Sequence, residues 1–187
     1  MNHLIDTGRI FLGLVFLCSV VGKVRGPAAF AAFRVAVARL VPALRGRTGP
    51  VAVLVAGAET AVVGALAVPS TVAVGFALAA LLLAAFTAAL VGALRRDETV
   101  ACHCFGDGGQ PVALPHVVRN AVLLCAASAG LAARLMTEGH PTATARPAAF
   151  LCTAAAGAFL ALVTVALDSL AYLWGRMDAE STGRAPG

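Results

Sequence analysis

In this chain of 187 residues, 60% are apolar and 12% charged, where a soluble domain carries roughly 25% charged residues. That composition excludes an ordinary soluble globular domain and describes an integral membrane protein, with material for about four to six spanning helices at ~20 apolar residues each. The formal charge of +5 does not signal nucleic acid, because the basic residues fall at the edges of apolar segments and a single Tyr and a single Trp leave little for base stacking.

The first apolar stretch, Ile5 to Val24, has Asp6 and Arg9 near one end and Lys23 and Arg25 at the other. Its cations follow the apolar run instead of preceding it, and no small-x-small cleavage site follows, so it is expected to be retained as a span. The uncharged part, Ile10 to Gly22, is short for a crossing, and snorkelling of the flanking cations would lengthen it. Leu17 directly before Cys18 argues against lipid modification of that cysteine.

Residues 27 to 48 place Phe30, Phe33, Val37, Leu40, Val41 and Leu44 at three- and four-residue intervals, interrupted by Arg34, Arg39, Arg45 and Arg47. This spacing predicts a basic amphipathic helix lying in the headgroup layer of a lipid bilayer. Val51 to Val68 reads as the second span, broken only by Glu59, and Pro69-Ser70 as a tight turn to an antiparallel neighbour. Thr71 to Leu94 is the third, without a charge over 24 residues, and it stops at Arg95-Arg96.

A polar, glycine-containing segment, Asp97 to Pro115, follows. The fourth span is expected from about His116 to Met136, with Arg119-Asn120 in its first turns. After a polar connector, Thr137 to Pro147, the fifth runs from Ala148 to Trp174, with Asp168 near its end and Tyr172 and Trp174 where an interfacial aromatic belt sits. Residues 175 to 187 read as a disordered polar tail. The fold class is thus an all-helical transmembrane bundle of about five spans, one domain over residues 1 to 174. Small residues such as Gly57 and Gly64, or Ser128 and Ala132, are expected to let its helices approach closely.

In a five-span arrangement, eleven of the fourteen Lys and Arg residues lie on one side, leaving Arg9, Arg134 and Arg146 on the other. The positive-inside bias then puts the N-terminus outside, the tail in the cytoplasm and the 97 to 115 loop on the cytoplasmic face.

Within that loop stands Cys102-His103-Cys104-Phe105-Gly106. Two thiols one residue apart can reach one partner atom, and a disulfide in so short a ring departs from relaxed geometry and is easily reduced, which suits exchange better than stapling. A second chemistry uses the same residues: Cys102, His103, Cys104 and His116 offer sulfur and nitrogen to copper(I) or zinc, although the spacing is not that of a usual zinc site. A third reading is a non-catalytic membrane scaffold. Cys18, Cys125 and Cys152 lie within spans, where a free cysteine usually just packs; Cys18 and Cys125 share the membrane half nearer the loop and could relay electrons as a second pair. Glu59 is near mid-span, where an ionised group costs at least ~2.5 kcal/mol and is usually paired, protonated or facing a cavity. Arg119 or Arg9 is its expected partner.

The sequence resembles the methylamine utilisation protein MauE family, within the wider group of DoxX-like redox-associated membrane proteins. The likeness rests on Arg9, Gly13 and Phe16 followed by Gly22-Lys23, on Glu59 and Gly64, on Cys102-x-Cys104-Phe105-Gly106, and on Arg119-Asn120. It implies a membrane partner for a thioredoxin-like protein, with Cys102 and Cys104 exchanging disulfides during maturation of an enzyme such as methylamine dehydrogenase. Electrons would then pass through Cys125 or Cys18 to a quinone, a step suggested by general disulfide-relay logic and by no motif in the chain. Family logic favours cysteines facing the oxidising exterior, whereas the arginine count puts them inside.

Overall fold

The computed structural model describes residues 2–96, 114–137 and 151–164. Cys102, His103 and Cys104, the connector beyond Thr137, and Asp168, Tyr172 and Trp174 lie outside the described residues. The described chain folds into helices α1 (Asn2–Val24), α2 (Pro27–Leu40), α3 (Thr48–Ala67), α4 (Val72–Leu94) and α5 (Leu114–Met136), with a shorter apolar helix α6 at Leu151–Thr164.

Proline punctuates these helices where the sequence demands. Pro27 occupies the first turn of α2, where its missing N–H is no loss. Pro42 closes off α2 and opens a six-residue 3-10 stretch leading into α3. Between α3 and α4, the Thr71 hydroxyl donates to the carbonyls of Ala65 at 2.9 Å and Val68 at 3.2 Å, satisfying acceptors that the end of α3 leaves open.

Four segments are long and apolar enough to cross a bilayer: Ile5–Val24, Pro42–Ala67, Pro69–Leu94 and His116–Met136. Only 22 to 28% of each is buried within the protein, and large apolar side chains such as Leu54, Leu81, Val122 and Met136 point outward. That is the inverse of a water-soluble surface and the pattern a lipid environment allows.

The core is built from Leu12 of α1, Val62 and Leu66 of α3, Phe76 and Ala79 of α4, and Ala127 of α5. Close approach is concentrated at three glycines. A Cβ on Gly130 would come within 2.4 Å of the Phe76 ring, one on Gly75 within 2.9 Å of the Leu66 backbone nitrogen, and one on Gly157 of α6 within 2.9 Å of the Thr7 carbonyl oxygen. The small residues picked from sequence do not serve this purpose: Gly57 and Gly64 have no neighbour within 4 Å, and Ser128 and Ala132 are exposed. Alanine-rich helices carry small residues on every side, so only the tertiary arrangement selects those that meet a neighbour.

Contacts fix the relative directions of the helices. Arg9 near the start of α1 reaches the Ala67 carbonyl at the end of α3, and Leu90 and Ala93 near the end of α4 pack with Val117 at the start of α5. One end of the bundle therefore gathers the close of α1, all of α2, the start of α3, the close of α4 and the start of α5. It is the cationic end, and there the Arg96 guanidinium donates to the Leu40 carbonyl at 2.8 Å, tying α4 to α2.

Helix α2 is amphipathic as its spacing predicts, with Arg34 and Arg39 exposed. Part of its apolar face is covered by protein: Phe33 and Val37 pack with Ala52 of α3, flanked by Phe30, Val51 and Val55.

Candidate functional site: a buried ion pair beside a polar-ended cavity

Ser19 and Lys23 are one helical turn apart on α1 and so project from one face. That face meets Glu59 of α3. The Lys23 ammonium donates to Glu59 Oε1 at 2.6 Å and Oε2 at 2.8 Å, and to Ser19 Oγ at 2.6 Å. The Ser19 hydroxyl in turn donates to Glu59 Oε1 at 3.3 Å. An ammonium has three hydrogens, and all three are engaged.

Lys23 and Glu59 are each 1% exposed. Burying either charge alone is costly, and the pair persists because each ion's desolvation is offset by the other and by the serine. Aromatic rings complete the enclosure: Lys23 Nζ lies 4.9 Å from the Phe33 ring centre and 5.9 Å from that of Phe86. Phe33 comes from α2, so the face of α2 turned onto the bundle roofs the ion pair.

A cavity of about 70 Å³ adjoins the pair. Ser19, Lys23, Glu59, Arg119 and Asn120 form its polar part, while Phe16, Phe33, Leu83, Phe86 and Leu123 are among its apolar walls. Asn120 is 5% exposed. The cavity lies towards the cationic end, since Leu40 and Leu90 also line it.

Of the residues singled out from sequence, Glu59 and Arg119 come together on this cavity, with Phe16, Lys23 and Asn120 of the family likeness. The ion-pair partner of Glu59 is Lys23, correcting the expectation of Arg119 or Arg9. Arg9 is 14 residues from Lys23, about 21 Å along a helix, and pairs with Asp6 at 3.6 Å. Lys23 does not snorkel to the interface as its position at the end of the apolar run suggested, because α2 and α3 cover it. The signal that was available is Ser19 four residues before it, a polar pair on one face of an apolar helix.

Asn120 stood in the sequence as part of the Arg119-Asn120 likeness with no role assigned to it, and its burial could not be read there. Cys18, Cys125 and Cys152 are free thiols on exposed faces; Cys18 points away from the cavity that its neighbour Ser19 lines. His116 is half-buried in the first turn of α5. Its suggested metal companions Cys102, His103 and Cys104 lie outside the described residues.

Comparison with curated proteins and with solved structures gave no match. The family described as "Methylamine utilisation protein MauE" matches residues 1–133, a segment that holds the ion pair, the whole cavity lining and the Cys102-x-Cys104 motif. With four membrane-capable helices and a match over most of its length, the chain is a multi-pass membrane protein belonging to the methylamine utilisation protein MauE family.

Proposed function

We propose that this protein is a membrane thiol-redox component in which Cys102 and Cys104 exchange disulfides with a thioredoxin-like partner, serving maturation of an enzyme of the methylamine dehydrogenase type. The observation that carries the reading is the family match across the two-cysteine motif, together with the chemistry of that motif: adjacent thiols whose mutual disulfide is strained and therefore readily passed on. The bundle supports it in a second way. The loop leaves α4 after Arg96 and returns at Leu114, and both points belong to the cationic end, beside the cavity that holds Lys23 and Glu59.

In the proposed cycle a thiolate of one protein attacks the other's disulfide, a mixed disulfide forms, and the second thiol of the attacking pair resolves it, so two electrons move as a pair between the dithiols. The arginine distribution orients the loop to the cytoplasm, where thiols are held reduced and the loop donates electrons more readily than it accepts them.

Single substitutions test the exchange. Cys104→Ser is expected to trap a disulfide-linked partner on Cys102, or Cys102→Ser one on Cys104, visible as an adduct on non-reducing gels that collapses with reductant. Absence of any adduct from both variants overturns the reading. Stoichiometric copper or zinc in the purified protein, lost in His103→Ala, would replace it with metal handling.

A further inference from the structure

The cavity beside the ion pair is too small for an organic ring and is furnished for water. Its volume of about 70 Å³ is half of the ~150 Å³ that admits benzene, so a six-membered ring, that of a quinone included, has no room; it matches about two water molecules at ~30 Å³ each. Much of the wall is apolar, with Phe16, Leu83 and Leu123 in it, and such a surface alone stays dry. The polar end changes that.

Asn120 of α5 lines the cavity at 5% exposure, and its side chain makes no hydrogen bond among the described residues. The amide carries N–H donors and a carbonyl acceptor, and leaving them unpaired in a buried place is costly. The ion pair on the same cavity is asymmetric. Glu59 Oε1 accepts from both Lys23 and Ser19, whereas Oε2 accepts from Lys23 alone, so the carboxylate, with about four lone-pair positions, keeps one open. Amide and carboxylate make no direct hydrogen bond, and what joins them must accept from the one and donate to the other. Water does both and has the right size.

We propose that this cavity is a hydration site, in which about two waters link the Asn120 amide to Glu59 Oε2. The bridge extends the polar network of α1 and α3 to α5. Hydrogen bonds between helices help hold a bundle together in a bilayer, where no hydrophobic drive acts between them, and one carried by water is enthalpically nearly as good as a direct bond. The waters thus tie α5, the helix on which the cysteine loop returns, to the buried ion pair. The site is independent of the thiol chemistry and stands or falls apart from it.

The chain has two asparagines, Asn2 and Asn120, so isotope-labelled asparagine gives two side-chain amide signals, and Asn120→Leu identifies the second. Water-edited solid-state NMR of the full-length protein in lipid bilayers is expected to show rapid magnetisation transfer from water to the Asn120 amide. Ala36→Leu, which fills the cavity from α2, should abolish that transfer; if this variant does not fold, Ala36→Val serves the same end. Thermal unfolding gives an independent sign. In a hydrated cavity Asn120→Leu, of similar volume, removes the anchor of the waters and lowers the midpoint by several degrees, whereas in a dry one it removes an unpaired amide and raises the midpoint. No transfer from water, transfer unchanged in the filled cavity, or a raised midpoint overturns the proposal.

Discussion

Lys23 and Glu59 show how two charges are tolerated in a helix bundle with so little interior. Each is almost wholly enclosed, and each is the other's main compensation, so the pair behaves as one unit. Lys23→Met alone strands a carboxylate among Phe33, Phe86 and Leu83, and should destabilise the protein by about 3–5 kcal/mol. Lys23→Met combined with Glu59→Leu removes both charges and should recover most of that loss, because an apolar pair of similar volume has no desolvation to offset. Thermal unfolding of the four detergent-purified proteins of this cycle measures the coupling; additive losses would mean that the two side chains do not act as a pair. Half of this site was legible in sequence. Glu59 stands out as the one acid within its span, whereas Lys23 sits at the end of an apolar run, the position from which a lysine ordinarily escapes to the interface.

At the scale of the helices, tight packing is a local matter. Phe76 is fully buried and its ring occupies the space that a side chain at position 130 would need. Gly130→Ala should therefore destabilise by about 1–3 kcal/mol through overpacking, and Phe76→Leu in the same chain should restore part of it. Gly57→Ala, with nothing within 4 Å, should be neutral or slightly stabilising by helix propensity. Detergent unfolding midpoints of these variants separate the two kinds of glycine. The helices themselves were plain in sequence: predicted spans at 5–24, 51–68, 71–94 and 116–136 correspond to α1, α3, α4 and α5 within a few residues. Two shifts are notable: the amphipathic helix expected over 27 to 48 ends at Leu40, because Pro42 cannot continue it, and α3 begins at Thr48, because Pro50 lies within its first turn, where a proline costs no helical hydrogen bond. The 148–174 span is described only at Leu151–Thr164.

For the molecule as a whole, the cationic end is the organising feature. Arg25, Arg34, Arg39, Arg45, Arg47, Arg95 and Arg96 belong to segments that close or open helices on that side. Lys23 is withdrawn into the bundle, but the asymmetry does not depend on it. If this end faces the cytoplasm, as the bias predicts, a membrane-impermeant maleimide should leave Cys102 unlabelled in intact cells and label it in inverted vesicles, in a protein whose other cysteines are replaced by serine. Labelling in intact cells would reverse the orientation and, with it, the direction in which the thiols pass electrons.

Composition and spacing alone determine that the chain spans a membrane, roughly where each helix starts and stops, and that two adjacent thiols occupy a polar loop, because these follow from local hydrophobicity, proline and residue type. Which side chains meet was decided by tertiary structure. Lys23 became the partner of Glu59, Asn120 became a buried amide on a cavity, and α2 became a roof over both, since burial depends on which face a neighbouring helix covers and no single segment carries that information.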